Sequence, residues 1–126
     1  MKLRIRGNSI RLRLTRTEVA RFAENGRVED AVEFGTGLPA FTYELISRPD
    51  GSIGARFDGG RLTVSIPQHE AKSWTDSDMV GLEALQAVDD RRVLRILIEK
   101  DFACLSERAG EDDGDAFANP LASAKC

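Results

Sequence analysis

Cysteine, histidine and tryptophan are almost missing from this sequence. In 126 residues there are two cysteines, one histidine and one tryptophan. Two thiols, Cys104 and Cys126, cannot make the framework of bridges that holds small secreted domains together, and neither stands in a C-x-x-C pair. With His69 alone, Ser-His-Asp catalysis would rest on one residue, and no serine occupies a G-x-S-x-G elbow. His69-Glu70 begins like an H-E-x-x-H zinc helix, but Ser73 stands where the second histidine is needed. No apolar run approaches the roughly 18 residues of a membrane span. From Met1 to Arg6 charges alternate with apolar residues, unlike the continuous apolar stretch of a secretory signal. A cytoplasmic protein is the expectation, with no membrane contact and no cofactor.

What is present suits one folded domain. Hydrophobic residues make up 41% of the chain, enough for a single core, and charged residues 31%. A net charge of −3 argues against a general nucleic-acid binder, whose domain is usually basic. The charge is unevenly spread. Residues 1–27 hold eight bases against Glu18 and Glu24, whereas residues 99–126 hold seven acids against three bases. No internal repeat is visible. The composition changes after Leu105, so residues 1–105 are read as one domain and 106–126 as an acidic peripheral loop or tail.

The first fourteen residues carry the clearest pattern. Leu3 and Ile5 alternate with Lys2, Arg4 and Arg6, and Ile10, Leu12 and Leu14 alternate with Arg11 and Arg13. Gly7-Asn8 between them suits a two-residue hairpin turn. That register sets Leu3 opposite Leu12, Arg4 opposite Arg11 and Lys2 opposite Arg13. One face is apolar and the other carries facing like charges, which destabilise neighbouring strands by up to about 1 kcal/mol per pair. Something must offset that cost. The offset is either solvation, or acids from the negative C-terminal segment or a neighbouring strand, or an external anion. Arginine suits the last role because its fork binds carboxylate or phosphate bidentately. Lys2, Arg4, Arg11 and Arg13 are the candidate anion-binding residues.

Beyond the hairpin, Thr15-Arg16-Thr17-Glu18 fits a capping box, and Asn25-Gly26 fits a helix stop. The rest reads mostly as strands: Val28–Phe34, with Asp30 breaking the pattern, Ala40–Ile46, a hairpin around Gly59-Gly60, and a hairpin joining Val80–Leu85 to Val93–Lys100. Leu82–Leu85 also fits a helix. Gln68–Lys72 fits one or two helical turns after Pro67, with His69 on their exposed side. Trp74 is expected in the core or over a sheet end. About eight strands and one firm helix predict an α+β fold, mostly antiparallel, with a curled or barrel-like sheet.

Other chemistries fail on spacing. Gly35-Thr36-Gly37-Leu38-Pro39-Ala40 matches G-x-G-x-x-A, but Phe41-Thr42-Tyr43 continues as a strand where a nucleotide fold needs a helix. Asp112-Asp113-Gly114-Asp115 would place Ala109 at the first ligand position of a calcium loop. Cys104 reads as a small buried apolar residue. No metal site is assigned.

Three stretches carry a resemblance: Met1-Lys2-Leu3-Arg4-Ile5-Arg6-Gly7-Asn8-Ser9-Ile10-Arg11-Leu12-Arg13-Leu14, Ile98-Glu99-Lys100-Asp101-Phe102-Ala103-Cys104-Leu105, and Glu111-Asp112-Asp113 with Asp115-Ala116-Phe117 and Asn119-Pro120. Together they resemble a family of small uncharacterised bacterial proteins, a domain of unknown function, over nearly the whole chain. The resemblance implies a stand-alone bacterial domain and brings no activity, cofactor or catalytic residue. Ala118 departs from the proline expected before Asn119-Pro120, which touches only the tail's rigidity.

The sequence leads to a non-enzymatic binding or interaction domain whose basic hairpin face meets an anionic small molecule, an acidic protein surface or its own acidic tail. A homodimer is compatible with that reading. Whether the chain is an enzyme stays open. An enzyme acting on a small phosphate or carboxylate substrate would position it with the arginines and use Asp101 or Glu99, helped by Cys104. A metal-binding protein would use Cys104 and tail carboxylates.

Overall fold

A computed structural model of the chain describes residues 1–102 and 115–118. The opening segments form strands β1 (Lys2–Arg6) and β2 (Ser9–Leu14), paired in the expected register from Lys2↔Arg13 to Arg6↔Ser9. Gly7 takes φ +53 in the turn, a conformation that costs glycine least. Helix α1 (Arg16–Asn25) starts at the expected capping box. The Thr15 hydroxyl accepts from the Glu18 amide at 3.3 Å, and Glu18 Oε1 accepts from the Thr15 amide at 2.9 Å. Gly26 closes the helix in the left-handed region at φ 72.

Strands β3 (Arg27–Val32), β4 (Phe41–Arg48), β5 (Gly54–Asp58) and β6 (Arg61–Pro67) follow. Helix α2 (Gln68–Thr75) comes next, then strands β7 (Gly81–Ala87) and β8 (Val93–Lys100). The short helical turn expected after Pro67 is thus a second helix. It runs on to Thr75 because Ala71 and Trp74, one turn apart, both bury into the core. Residues 82–85 are strand, and Phe34 lies beyond β3 and is exposed.

The eight strands make two mixed four-stranded sheets, ordered β1-β2-β8-β7 and β3-β4-β6-β5. Neither closes into a barrel. Each is two antiparallel hairpins joined by a central parallel pair, β2 with β8 and β4 with β6. Four of the six strand pairings are antiparallel, as expected, but the expectation of a single curled or barrel-like sheet with one helix is corrected. Alternating apolar residues mark a half-buried strand but do not reveal the direction of its neighbour. β2 and β8 lie near opposite ends of the described chain and β5 intervenes between β4 and β6, so no tight turn signals either parallel pair.

The topology also exposes a repeat that residue identities hide. The chain runs ββαββ twice, and each half gives one hairpin to each sheet. The turn Gly7-Asn8 corresponds to Gly59-Gly60. The buried stripe Ile10, Leu12, Leu14 corresponds to Leu62, Val64, Ile66. Phe22 corresponds to Trp74, and their rings meet at 6.2 Å between centroids where the two helices pack together. In the parallel pairs Ile10 faces Ile96 and Leu62 faces Tyr43, so β8 and β4 are also counterparts, with Leu45 and Ile98 both fully buried. All of these belong to one hydrophobic cluster between the sheets, with Tyr43 packed against it.

Side chains bridge two pairs of edge strands from opposite sheets. Gln86 of β7 reaches Ala55 of β5 with both ends of its amide: Nε2 donates to the carbonyl at 2.9 Å, and Oε1 accepts from the amide at 2.7 Å. It thereby replaces a pair of main-chain bonds. Near β1 and β3 the Met1 ammonium contacts Glu18 and Asp30, the latter at 2.8 Å, while the Tyr43 hydroxyl donates to the Met1 carbonyl at 2.8 Å. Asp30, which broke the apolar pattern of β3, is accounted for by this contact.

Candidate functional site

Burial of Ile10, Leu12 and Leu14 turns Arg11 and Arg13 to the outer face of the first sheet. Antiparallel pairing sets Lys2 and Arg4 beside them on that face. All four residues expected from the sequence are therefore together. Arg6 and Arg95 extend the face, Arg95 in an ion pair with Glu83 at 3.0 Å.

The like-charge cost is met partly from the neighbouring strand. Parallel pairing of Arg13 with Glu99 brings that carboxylate between two guanidiniums, 3.2 Å from Arg11 Nε and 3.5 Å from Arg13 Nε. Lys2 Nζ lies 2.9 Å from the Asp101 carboxylate. The enzyme reading assigned acid–base work to Glu99 or Asp101; here both carboxylates lie against cations of the basic face. Gly81 matters to this arrangement, because a Cβ there would lie 3.0 Å from Glu99 Cγ and 2.6 Å from the Ile98 carbonyl. The glycine leaves the space the Glu99 side chain uses.

The corresponding face of the second sheet is organised differently. Glu44 is 7% exposed, and its carboxylate accepts from the Thr63 hydroxyl at 2.7 Å. Arg27 lies 2.9 Å away and Arg61 3.1 Å away, and both arginines also contact Glu29. Two cations thus bridge two carboxylates in a closed network. The Arg61 hydrogen bond, more than the nearby Arg27 charge, holds the Glu29 carboxyl below its ordinary pKa, against a smaller opposing effect of burial. Sequence reasoning missed this cluster because its members come from three strands, β3, β4 and β6.

Other candidates separate. The His69 side chain is 74% exposed on α2, 3.8 Å from Glu70, as its expected exposed position implies. Trp74 is fully buried, and its indole N–H donates to the Val80 carbonyl at 3.3 Å. Among the described residues no group of three or more histidine, cysteine, aspartate or glutamate side chains could hold a metal ion. No helix among them is long and apolar enough to cross a membrane. Cys104, Cys126 and the Asp112-Asp113-Gly114 run lie outside the described residues.

Residues 1–121 match DUF7009, a family of unknown function. The chain belongs to that family. The match spans all three stretches on which the family resemblance rested. No curated protein and no solved structure matches the chain.

Proposed function

We propose that this domain is a non-enzymatic, cytoplasmic bacterial binding module. In this reading the outer face of the β1-β2-β8-β7 sheet receives a carboxylate- or phosphate-bearing partner. One observation carries it. Among the described residues that face holds Lys2, Arg4, Arg6, Arg11, Arg13 and Arg95 against Glu83, Glu99 and Asp101, in a chain whose net charge is −3. Concentrating positive charge on one sheet of an acidic protein steers anions to that sheet. The arginine forks add directional hydrogen bonds on arrival. The chain's own acidic run, Glu111-Asp112-Asp113 with Asp115, is the intramolecular competitor for the same face. No observation favours the enzyme reading over this one.

The test is an NMR titration of the full chain with a glutamate-rich peptide and, separately, inorganic phosphate. Saturable shifts should centre on Arg4, Arg11 and Arg13, weaken with added salt and disappear in Arg4→Ser/Arg11→Ser. A second variant neutralising Glu111, Asp112, Asp113 and Asp115 should bind the peptide more tightly if the run competes. Absence of saturable shifts in both the parent and that second variant would remove the proposal.

A further inference from the structure

Two clefts flank the helix pair, and the internal repeat relates them. The larger, about 580 Å³, lies between α1 and α2, with Ala23, Ser47, Gln68 and Ala71 in its lining. The other, about 520 Å³, has Thr75, Lys100, Arg16 and Val19 in its lining. These four pairs are counterparts in the two ββαββ units. Ala23 and Thr75 follow the paired rings Phe22 and Trp74. Arg16 and Gln68 open the two helices, and Val19 and Ala71 lie one turn on. Ser47 and Lys100 lie at equivalent places on β4 and β8, as the Tyr43–Leu62 and Ile10–Ile96 pairings require. At two of these four places the cleft beside Phe102 has a cation, Arg16 and Lys100, where the other has the neutral Gln68 and Ser47; the other cleft carries its charges elsewhere, at Glu24, Lys72 and Asp76.

The cleft with Arg16 and Lys100 also differs in how its charges are used. Asp101 lines it, but the Asp101 carboxylate contacts Lys2 on the neighbouring face at 2.9 Å. Lys100 Nζ donates to the Ser77 carbonyl at 2.6 Å, a neutral partner, and makes no ion pair among the described residues. Arg16 is exposed and makes no ion pair among the described residues. Leu14 and Val19 supply apolar wall, and Phe102, 54% exposed, supplies a ring. Apolar walls with a few converging polar groups are the make-up of small-ligand sites, and the cations fix the sign of the ligand's head.

We infer that the cleft formed by Leu14, Arg16, Val19, Thr75, Lys100 and Phe102 binds a small organic anion, a carboxylate or phosphate monoester carried on an apolar body. The head lies between Arg16 and Lys100, and the body lies against Val19 and Phe102. This site is separate from the basic sheet face and stands or falls independently of it.

The experiment is an NMR titration of the full chain with four probes. They are 3-phenylpropionate and phenyl phosphate, with 3-phenylpropanol as body alone and inorganic phosphate as head alone. Both organic anions should give saturable shifts centred on Val19, Thr75, Lys100 and Phe102, with the two partial probes about tenfold weaker or worse. Arg16→Gln, which installs the residue its counterpart carries, should weaken the organic anions about tenfold, as loss of one charge-assisted hydrogen bond predicts. Gln68→Arg, in the other cleft, should leave binding unchanged. Lys100→Gln gives a second reading should Arg16→Gln alter the helix start, and its spectrum reports folding directly. The inference is overturned if neither organic anion saturates, or if inorganic phosphate binds as well as they do, or if Arg16→Gln and Lys100→Gln, both folded, bind unchanged. Shifts confined to Arg4, Arg11 and Arg13 overturn it too, while leaving the basic-face proposal standing.

Discussion

The two sheets share a strand plan and finish their outer faces in opposite ways. Leu97 of β8 and Glu44 of β4 hold counterpart positions, as their buried neighbours Ile98 and Leu45 do. Around Glu44 the charges close on themselves, with two arginines each bridging two carboxylates and a threonine hydroxyl completing the shell. Around Leu97 the cations line up along β1 and β2, and among the described residues Glu99 and Asp101 meet Arg11, Arg13 and Lys2. A closed network spends its charge inside the fold, and a cation-rich row keeps charge facing outward. The lesson is that the same ββαββ unit can be finished with an ion-pair network around a buried carboxylate on one sheet and with a row of cations on the other.

The comparison can be broken first at what the halves share. Trp74→Ala and Phe22→Ala remove the counterpart rings, and each should cost about 3–5 kcal/mol in chemical denaturation. A much smaller loss would show that the helix pair does not hold the halves together. Next, Glu44→Ala leaves Thr63 and two guanidiniums without their shared acceptor and should cost about 1–3 kcal/mol. Gly81→Ala probes the other sheet. Its Cβ meets the Ile98 carbonyl, so a loss of about 1–3 kcal/mol is expected, together with a shifted Glu99 side chain visible by NMR.

A pH series separates the edge contact near β1 and β3 from both faces. Burial opposes the charged form of the Met1 ammonium, but the hydrogen bonds it donates to Asp30 and Glu18 prevail and raise its pKa above 8.0. Burial likewise opposes ionisation of Glu18, and the ammonium with the Thr15 contacts prevails, holding its pKa below 4.5. The raised ammonium contributes stability that is full below pH 8.0 and is lost as pH rises through the folded-state value. The lowered carboxyl contributes stability present above pH 4.5 and lost as pH falls through the folded-state value. Thermal melting should therefore fall off on both sides of neutrality. Glu18→Gln keeps a capping side chain and should flatten both limbs. The smallest effect is expected on the first sheet's face, where Glu99→Gln should cost about 1 kcal/mol at low salt and somewhat less at high salt, because the pairs with Arg11 and Arg13 are only partly open to solvent.

Much of the fold was legible because it is written locally. The opening hairpin register, the Thr15–Glu18 capping box and the Gly26 stop each depend on residues a few positions apart. The parallel pairs β2–β8 and β4–β6 were not legible, because no tight turn joins the partners: most of the fold separates β2 from β8, and β5 intervenes between β4 and β6. The repeat stayed hidden because Phe22 and Trp74, or Leu12 and Val64, share a role and not an identity. The basic face could be read from β1 and β2 alone, whereas the position of Glu99 beside it required the parallel register. Asp30 looked like a flaw in its strand until its partner arrived from the chain start, and Glu44 carried no signal until Arg27, Arg61 and Thr63 met it from other strands.

The central claim, that cations on one sheet serve binding while those on the other serve folding, is tested most directly by two double variants side by side. Arg4→Ser/Arg11→Ser and Arg27→Ser/Arg61→Ser would each be denatured chemically and titrated with the glutamate-rich peptide. The account predicts that the first pair loses peptide binding and changes stability by less than about 1 kcal/mol. It predicts that the second loses about 2 kcal/mol and keeps binding. Peptide binding retained by the first pair and abolished in a folded second pair would contradict it.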